Sequence, residues 1–358
     1  MSRSAPAAAL GAVAVAALAL TGCGTVVAAE PTGSSAAAQI TVTDDQGREV
    51  VIDGPVERAV VLNSYANEFV RAIGAGDTVV GVDRSSLNRL PYLEITDDEV
   101  IAEGLDQINY EAVAALEPDV VVLPRNAVWQ EAAEQLEGFG IPVVVATAWD
   151  YAVFDDTVDL LGEVFGAEQE ADGFQAFADE IQEVVAERVE GLDTVPVYWE
   201  TAEPYLTVLP GSGFHAIIEA AGGENVFAEA GGGDVQQEIT VDPAEVVTRD
   251  PAVIVHEYEP AATPTEASAF EATRDELTSR PGWSAIQAVE DDQVYVANGW
   301  ATSAIAKSIG ALYLATWLHP EAFEDVDPDA YLERWVTEFQ GTDFAGVDGY
   351  ISAPGDQG

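Results

Sequence analysis

From Ile40 onward the apolar positions follow two different periods. Ile40-Thr41-Val42-Thr43 and Arg48-Glu49-Val50-Val51-Ile52 alternate on either side of Asp44-Asp45-Gln46-Gly47, which is the pattern of a β-hairpin around a glycine-containing turn. Further along, short unbroken apolar runs replace the alternation: Ala59 to Leu62, Val79 to Val82, Val120 to Leu123 and Val143 to Ala146. Runs of this kind are strands with both faces buried. Between them, Asn67 to Gly74, Tyr110 to Leu116 and Val128 to Phe139 carry apolar residues at helical spacing. Strands alternating with amphipathic helices predict an α/β fold whose parallel sheet is covered on both sides.

The second half repeats the first. Ala72-Ile73-Gly74-Ala75-Gly76-Asp77-Thr78-Val79 matches Ala220-Ala221-Gly222-Gly223-Glu224-Asn225-Val226, a helix end with a glycine cap in each case. Glu117-Pro118-Asp119-Val120 matches Asp250-Pro251-Ala252-Val253, where proline stops a short helix and a strand follows. The matches come in the same order in both halves, so the chain reads as two similar α/β units. Between them, Phe174, Phe177, Ile181, Val184, Val185 and Val189 recur at spacings of three and four. Residues 167–192 therefore form one helix of about 35 Å, placed to connect two lobes (40–166 and 193–358) or to cover the first.

Residues 1–39 follow neither pattern. Ser2-Arg3-Ser4 precedes an apolar stretch, Ala7 to Leu20, that is short for a membrane span. Leu20-Thr21-Gly22-Cys23 then resembles a lipobox, with the chain's single cysteine at the position that is acylated. The expectation is a lipoprotein signal peptide at 1–22 and a flexible tether at 23–39. The mature protein is then held outside the cytoplasmic membrane by lipid on Cys23. One cysteine also excludes a disulfide within the chain.

Charge narrows the picture. Against 64 acidic residues stand 13 basic ones, a formal net charge of −51. Nucleic acid and anionic lipid surfaces are excluded as electrostatic partners. With 48% hydrophobic residues the chain has ample material for a core, so disorder is excluded too. An acidic surface that stays hydrated in concentrated salt is the expected reading. Lys307 is the only lysine.

The ordered set Ile40 to Ile52, Gly74 to Arg84, Asn109 to Pro124, Thr240 to Val255 and Pro281-Gly282-Trp283 leading to Val294-Tyr295-Val296 resembles the substrate-binding lipoproteins of ABC importers for iron complexes, haem and cobalamin. His319-Pro320-Glu321 to Phe339-Gln340-Gly341 resembles the C-terminal end of the iron and haem branch. The resemblance implies two Rossmann-like lobes with parallel sheets, joined by one long helix and closing modestly on ligand. It implies a monomeric receptor whose partners are an ABC permease with its cytoplasmic ATPase. It also implies a docking glutamate on each lobe, seven residues before the strand-opening proline. Glu111 fits that offset from Pro118; in the second half the offset falls on Ala244, and its neighbour Glu245 is the candidate.

Open α/β sheets bind ligands at the carboxyl ends of their strands. In the first half those ends offer Tyr65, Arg84, Arg125 and Trp149; in the second, Trp199, Tyr205, His256, Tyr258 and Trp300. An arginine there can clamp a carboxylate, phosphate or catecholate, or pair with one of the chain's own carboxylates. The aromatic residues suit a large planar ligand or fill the core. His256 is either an axial ligand to haem iron or cobalt, or a hydrogen-bonding histidine. No cluster has the spacing of a bare transition-metal site.

The function expected is capture of an iron complex, a ferric siderophore or haem, with cobalamin as the alternative ligand. No catalytic cofactor is needed. A secreted α/β hydrolase is the alternative from another class, but no G-x-S-x-G elbow, H-E-x-x-H or Walker loop occurs.

Overall fold

The computed structural model describes residues 39–89, 97–231, 236–259, 265–305 and 307–352. Cys23, the expected signal peptide and all but the last residue of the expected tether lie outside the described residues. In chain order the strands of the first half are β1 Gln39–Thr43, β2 Glu49–Asp53, β3 Ala59–Val61, β4 Val79–Asp83, β5 Val100–Gly104, β6 Gln107–Ile108, β7 Val120–Leu123 and β8 Val143–Val145. Those of the second are β9 Val195–Glu200, β10 Leu206–Val208, β11 Gly223–Asn225, β12 Glu238–Thr240, β13 Val253–Tyr258, β14 Val294–Asn298 and β15 Ile351–Ser352.

The hairpin β1–β2 is antiparallel, with Val42 opposite Val50. Its turn is held by Asp44, which accepts the backbone N–H groups of Gln46 at 3.1 Å and Arg48 at 3.0 Å. The same carboxylate accepts the Val145 N–H at 3.2 Å, which fastens the hairpin to the edge of the first sheet. That sheet has the order β6-β5-β4-β3-β7-β8 and is parallel except for β6. The second has the order β12-β10-β9-β13-β14-β15, with β11 beside β9. Its centre, β11, β9, β13 and β14, is parallel; β10 and β15 run antiparallel to that centre, and β12 pairs antiparallel with β10 at the edge.

The internal repeat is present in the backbone. Gly74 and Gly222 both end their helices at φ 76°, a left-handed conformation that glycine adopts without steric cost. Glu117 and Asp250 are both left-handed, at φ 47° and 49°, immediately before their prolines. Two residues on, Asp119 N–H bonds Arg58 C=O at 2.8 Å and Ala252 N–H bonds Pro196 C=O at 3.0 Å. β3 and β9, β4 and β11, and β7 and β13 are thus the same elements used twice.

The strands are buried on both faces, as their unbroken apolar runs require. In β7, Val120 and Val122 face one core while Val121 and Leu123 face another with Ala132 and Leu136. In β13, Val253 and Val255 face the first of these cores and Ile254 a third, with Phe270 and Trp283. The core they share is continuous across both halves. Phe69 and Val158 from the first half, and Ile217 and Leu312 from the second, meet the long helix Glu168–Val189 through Phe174, Phe177, Ile181 and Val185. This helix both connects and covers, and a shared core of this kind resists wide hinge opening.

The packing has little slack where helix Ser308–Leu318 crosses helix Gly299–Ser303. A Cβ at Gly310 would lie 2.3 Å from the Thr302 carbonyl oxygen. Gly310→Ala is therefore expected to destabilise the protein by about 1–3 kcal/mol. Gly173→Ala, on the open face of the long helix with nothing within 4 Å of a new Cβ, should gain about 0.5–1 kcal/mol. Urea unfolding of the two variants should shift in opposite directions; a shared direction would refute the packing argument.

Candidate functional site

Each lobe begins its first covering helix at the carboxyl end of its first sheet strand or of the short hairpin that extends it. In the first lobe this is helix Ser64–Ala72, where the Asn63 side chain accepts the Ala66 N–H at 3.0 Å. In the second it is helix Gly213–Ala220, where Ser212 Oγ accepts the Phe214 N–H at 3.2 Å. The first turns carry Tyr65 and Phe214. Between them stands Lys307, the N-cap residue of helix Ser308–Leu318. Its Nζ lies 5.7 Å from the Tyr65 ring centre and 5.6 Å from that of Phe214. It donates to the Trp149 carbonyl at 3.2 Å. One ammonium thus joins three segments from both lobes.

Several expected site residues collect around this point. Trp149 supplies the carbonyl, and its indole lies under the Arg125 guanidinium at 4.7 Å. Arg125 also pairs with Asp150. Trp199 is fully buried and stacks beneath Phe214, with ring centres 5.5 Å apart. Phe214 and Lys307 were not among the residues expected from strand ends. Lys307 had a signal in composition as the only lysine, and Phe214 in its place just after Gly211-Ser212-Gly213.

Other expected residues go elsewhere. Arg84 is held by Glu103, through bonds of 3.1 and 2.8 Å, and by Asp97. Trp300 is buried against Tyr350, with ring centres 5.5 Å apart. Tyr205, His256 and Tyr258 lie on the face of the second sheet turned away from the shared core. Tyr258 packs edge-on to Phe270 at 5.5 Å, and Tyr205 lies under the Arg280 guanidinium at 4.6 Å. His256 Nδ1 is 3.1 Å from Glu200 Oε1 without hydrogen-bond geometry, so this ring nitrogen faces a carboxylate.

Glu200 organises that face. Fully buried, it receives Arg280 Nη1 on both oxygens, at 2.9 and 2.8 Å, with Tyr198 Oη and the Tyr205 N–H each at 2.9 Å. Burial alone would raise its pKa, but the approach of His256 and the bonds and charge of Arg280 hold it below the ordinary carboxylate range. On the other face of β13, Glu257 has the opposite fate. Burial, reinforced by the charge of Glu259, pushes its carboxyl up to about 8, against the bond it accepts from Thr302 Oγ1 at 3.2 Å.

The two candidate docking carboxylates are exposed at the starts of short helices. Glu111 is the second residue of helix Tyr110–Ala115, capped by Asn109. In helix Pro243–Arg249, capped by Asp242, the matching position is Ala244, and Glu245 beside it pairs with Arg249 at 3.5 Å. Among the described residues no helix is long and apolar enough to cross a membrane.

The molybdate-binding protein MolA of Haemophilus influenzae is 28% identical over 349 residues, covering 87% of this chain and 93% of MolA. Its molybdate-bound structure superimposes with a TM-score of 0.70 at 24% identity, covering 86% of this chain and 99% of MolA. A cobalamin-binding protein of Halobacterium salinarum is 29% identical over 60% of this chain and 58% of that protein. The fold is shared with the TroA-like periplasmic binding protein FepB of Veillonella parvula, at a TM-score of 0.72 and 22% identity over 88% of this chain and 99% of FepB. The periplasmic binding protein family model matches residues 60–299, and with two lobes on one connecting helix the chain belongs to that family, the solute-capturing components of ABC importers.

Proposed function

We propose that this chain is a lipid-anchored extracytoplasmic receptor that captures an iron complex, a ferric siderophore or haem, and presents it to an ABC permease with its ATPase. The observation that carries this reading is the approach of Tyr65 and Phe214, one ring from each lobe, to the Lys307 ammonium where strands end. A ring from each lobe beside one ammonium offers a planar chelate apolar surface to bury against. A second reading, molybdate, is favoured by the near full-length similarity to MolA. Cobalamin is the remaining alternative, suggested by the halobacterial relative. Tryptophan fluorescence titration in concentrated salt with haemin, ferric catecholate, ferric citrate, sodium molybdate and cyanocobalamin decides among them. Binding of molybdate or cobalamin alone would replace the iron complex.

Delivery needs a surface that recognises the permease, and Glu111 supports that role. It is exposed, its helix is fixed by the Asn109 cap, and no cation holds it in place among the described residues. Glu111→Arg is expected to reduce receptor-stimulated ATPase activity of the permease complex in nanodiscs about tenfold, since one charge contact at an interface is worth about 1.4 kcal/mol or more. Glu245→Arg should have a smaller effect, because Arg249 already occupies that carboxylate. Absence of stimulation by the wild-type protein with every ligand would sink the receptor reading itself.

A further inference from the structure

The electrostatics of Lys307 differ from those of most of the chain's other described cations. Arg48, Arg84, Arg125, Arg188, Arg280 and Arg334 each sit on a carboxylate. Lys307 is 8% exposed and has no carboxylate within ion-pair distance among the described residues. A buried ammonium is costly to keep without a counter-charge. In a chain with 64 acidic residues a carboxylate partner would be easy to supply. The Trp149 carbonyl takes one of three N–H donors. The faces of Tyr65 and Phe214 supply weak cation–π attraction at the limit of its range.

Two further observations show a place prepared for this side chain. Its backbone is left-handed at φ 77°, an uncommon state for a residue with a side chain. Gly213 leaves the space it occupies, since a Cβ there would lie 2.2 Å from Lys307 Cε. The 11-residue helix that Lys307 opens has no side-chain cap, so its positive end adds to the field of the ammonium. Beside them opens a pocket of about 200 Å³, lined by Val185, Ala216, Ile217 and Ala311 together with Gly213 and Lys307.

We infer that Lys307 anchors the acidic group of the transported ligand. The receptor then selects ligands that present an anionic oxygen, as a carboxylate, catecholate or tetrahedral oxyanion, next to an apolar or planar flank. The anionic oxygen supplies the counter-charge that the fold withholds, and the flank lies on the Tyr65 and Phe214 rings or enters the pocket. Arg84 and Arg125 are already neutralised and contribute less. This inference rests on the receptor reading and names the ligand class of the same site.

The test is fluorescence titration of wild-type protein, Lys307→Met, Lys307→Arg and Gly213→Ala with ferric catecholate, ferric citrate, sodium molybdate and cyanocobalamin. Thermal melts confirm that each variant is folded. At least one anionic probe should bind the wild type, and Lys307→Met should weaken it about 30-fold, with Lys307→Arg retaining most of the affinity. Gly213→Ala keeps the charge but displaces it, and should also weaken binding; it stands in if Lys307→Met does not fold. The three anionic probes separate catecholate, carboxylate and oxyanion sources. Anion binding by Lys307→Met within twofold of wild type overturns the anchor. So does a wild type that binds only cyanocobalamin or no anion. ATPase stimulation by the wild-type protein is read separately, so failure of the anchor and failure of the receptor reading are distinguishable.

Discussion

Glu200→Ala is expected to cost about 3–5 kcal/mol of folding stability, because it strands a partly buried charge. The Arg280 guanidinium bonds both Glu200 oxygens, at 2.9 and 2.8 Å, and its side chain is 10% exposed. Once the carboxylate is gone, the guanidinium keeps the stacking on Tyr205 and Trp283 at 4.6 and 4.8 Å, which does not compensate a lost ion pair. Tyr198 Oη and the Tyr205 N–H lose their acceptor as well. Salt should not mask the effect, since screening acts weakly on buried pairs. The double variant Glu200→Ala/Arg280→Met should recover part of the loss. Urea unfolding in concentrated salt measures both, and a single-variant loss below about 1 kcal/mol would contradict a buried pair. The pH dependence has a definite sign. A carboxylate held below its unfolded value contributes stability above that value, and the contribution is lost as pH falls through the folded pKa.

What sequence alone revealed follows from which contacts are local. Val120 to Leu123 shows its burial on both faces in its own composition, and Gly74 and Gly222 show their helix ends in a single residue. The repeat was legible because Glu117-Pro118 and Asp250-Pro251 mark the same junction. The antiparallel edges were not. β10 and β12 are three residues each, too short to carry a period. Strand ends named a set of candidate residues but not the direction each side chain takes. Trp199 shares the parity of Val197 and enters the shared core, while Glu200 and His256 fall on the opposite face. Partners distant in sequence were invisible. Glu103 reaches Arg84 from the neighbouring strand, and Arg280 reaches Glu200 across 80 positions. Lys307 was singular by count, yet only the fold shows what the count meant. The one lysine stands with no carboxylate at ion-pair distance among the described residues.

Glu257→Gln is expected to stabilise the protein at alkaline pH, the reverse of the usual result for a buried polar substitution. The Glu257 carboxyl is 3% exposed, and burial, then the charge of Glu259, pushes it up to about 8. Thr302 Oγ1 and the Trp199 indole favour the ionised form but do not outweigh these effects. Below the ordinary carboxylate range, folded and unfolded chains both hold the proton and the group adds no pH dependence. Between that range and about 8 the folded state keeps a proton that the unfolded chain has released, so stability falls as pH rises. Above it the loss is complete. It amounts to a few kcal/mol, because each tenfold difference in proton affinity between the two states is worth about 1.4 kcal/mol. Glutamine preserves the shape and an acceptor for Thr302 while removing the ionisation. Urea midpoints for wild type and Glu257→Gln should therefore nearly coincide at about pH 5 and diverge towards about pH 9, with the variant more stable. Parallel profiles across that range would mean that Glu257 ionises freely in the folded state, and that solvent reaches the end of β13.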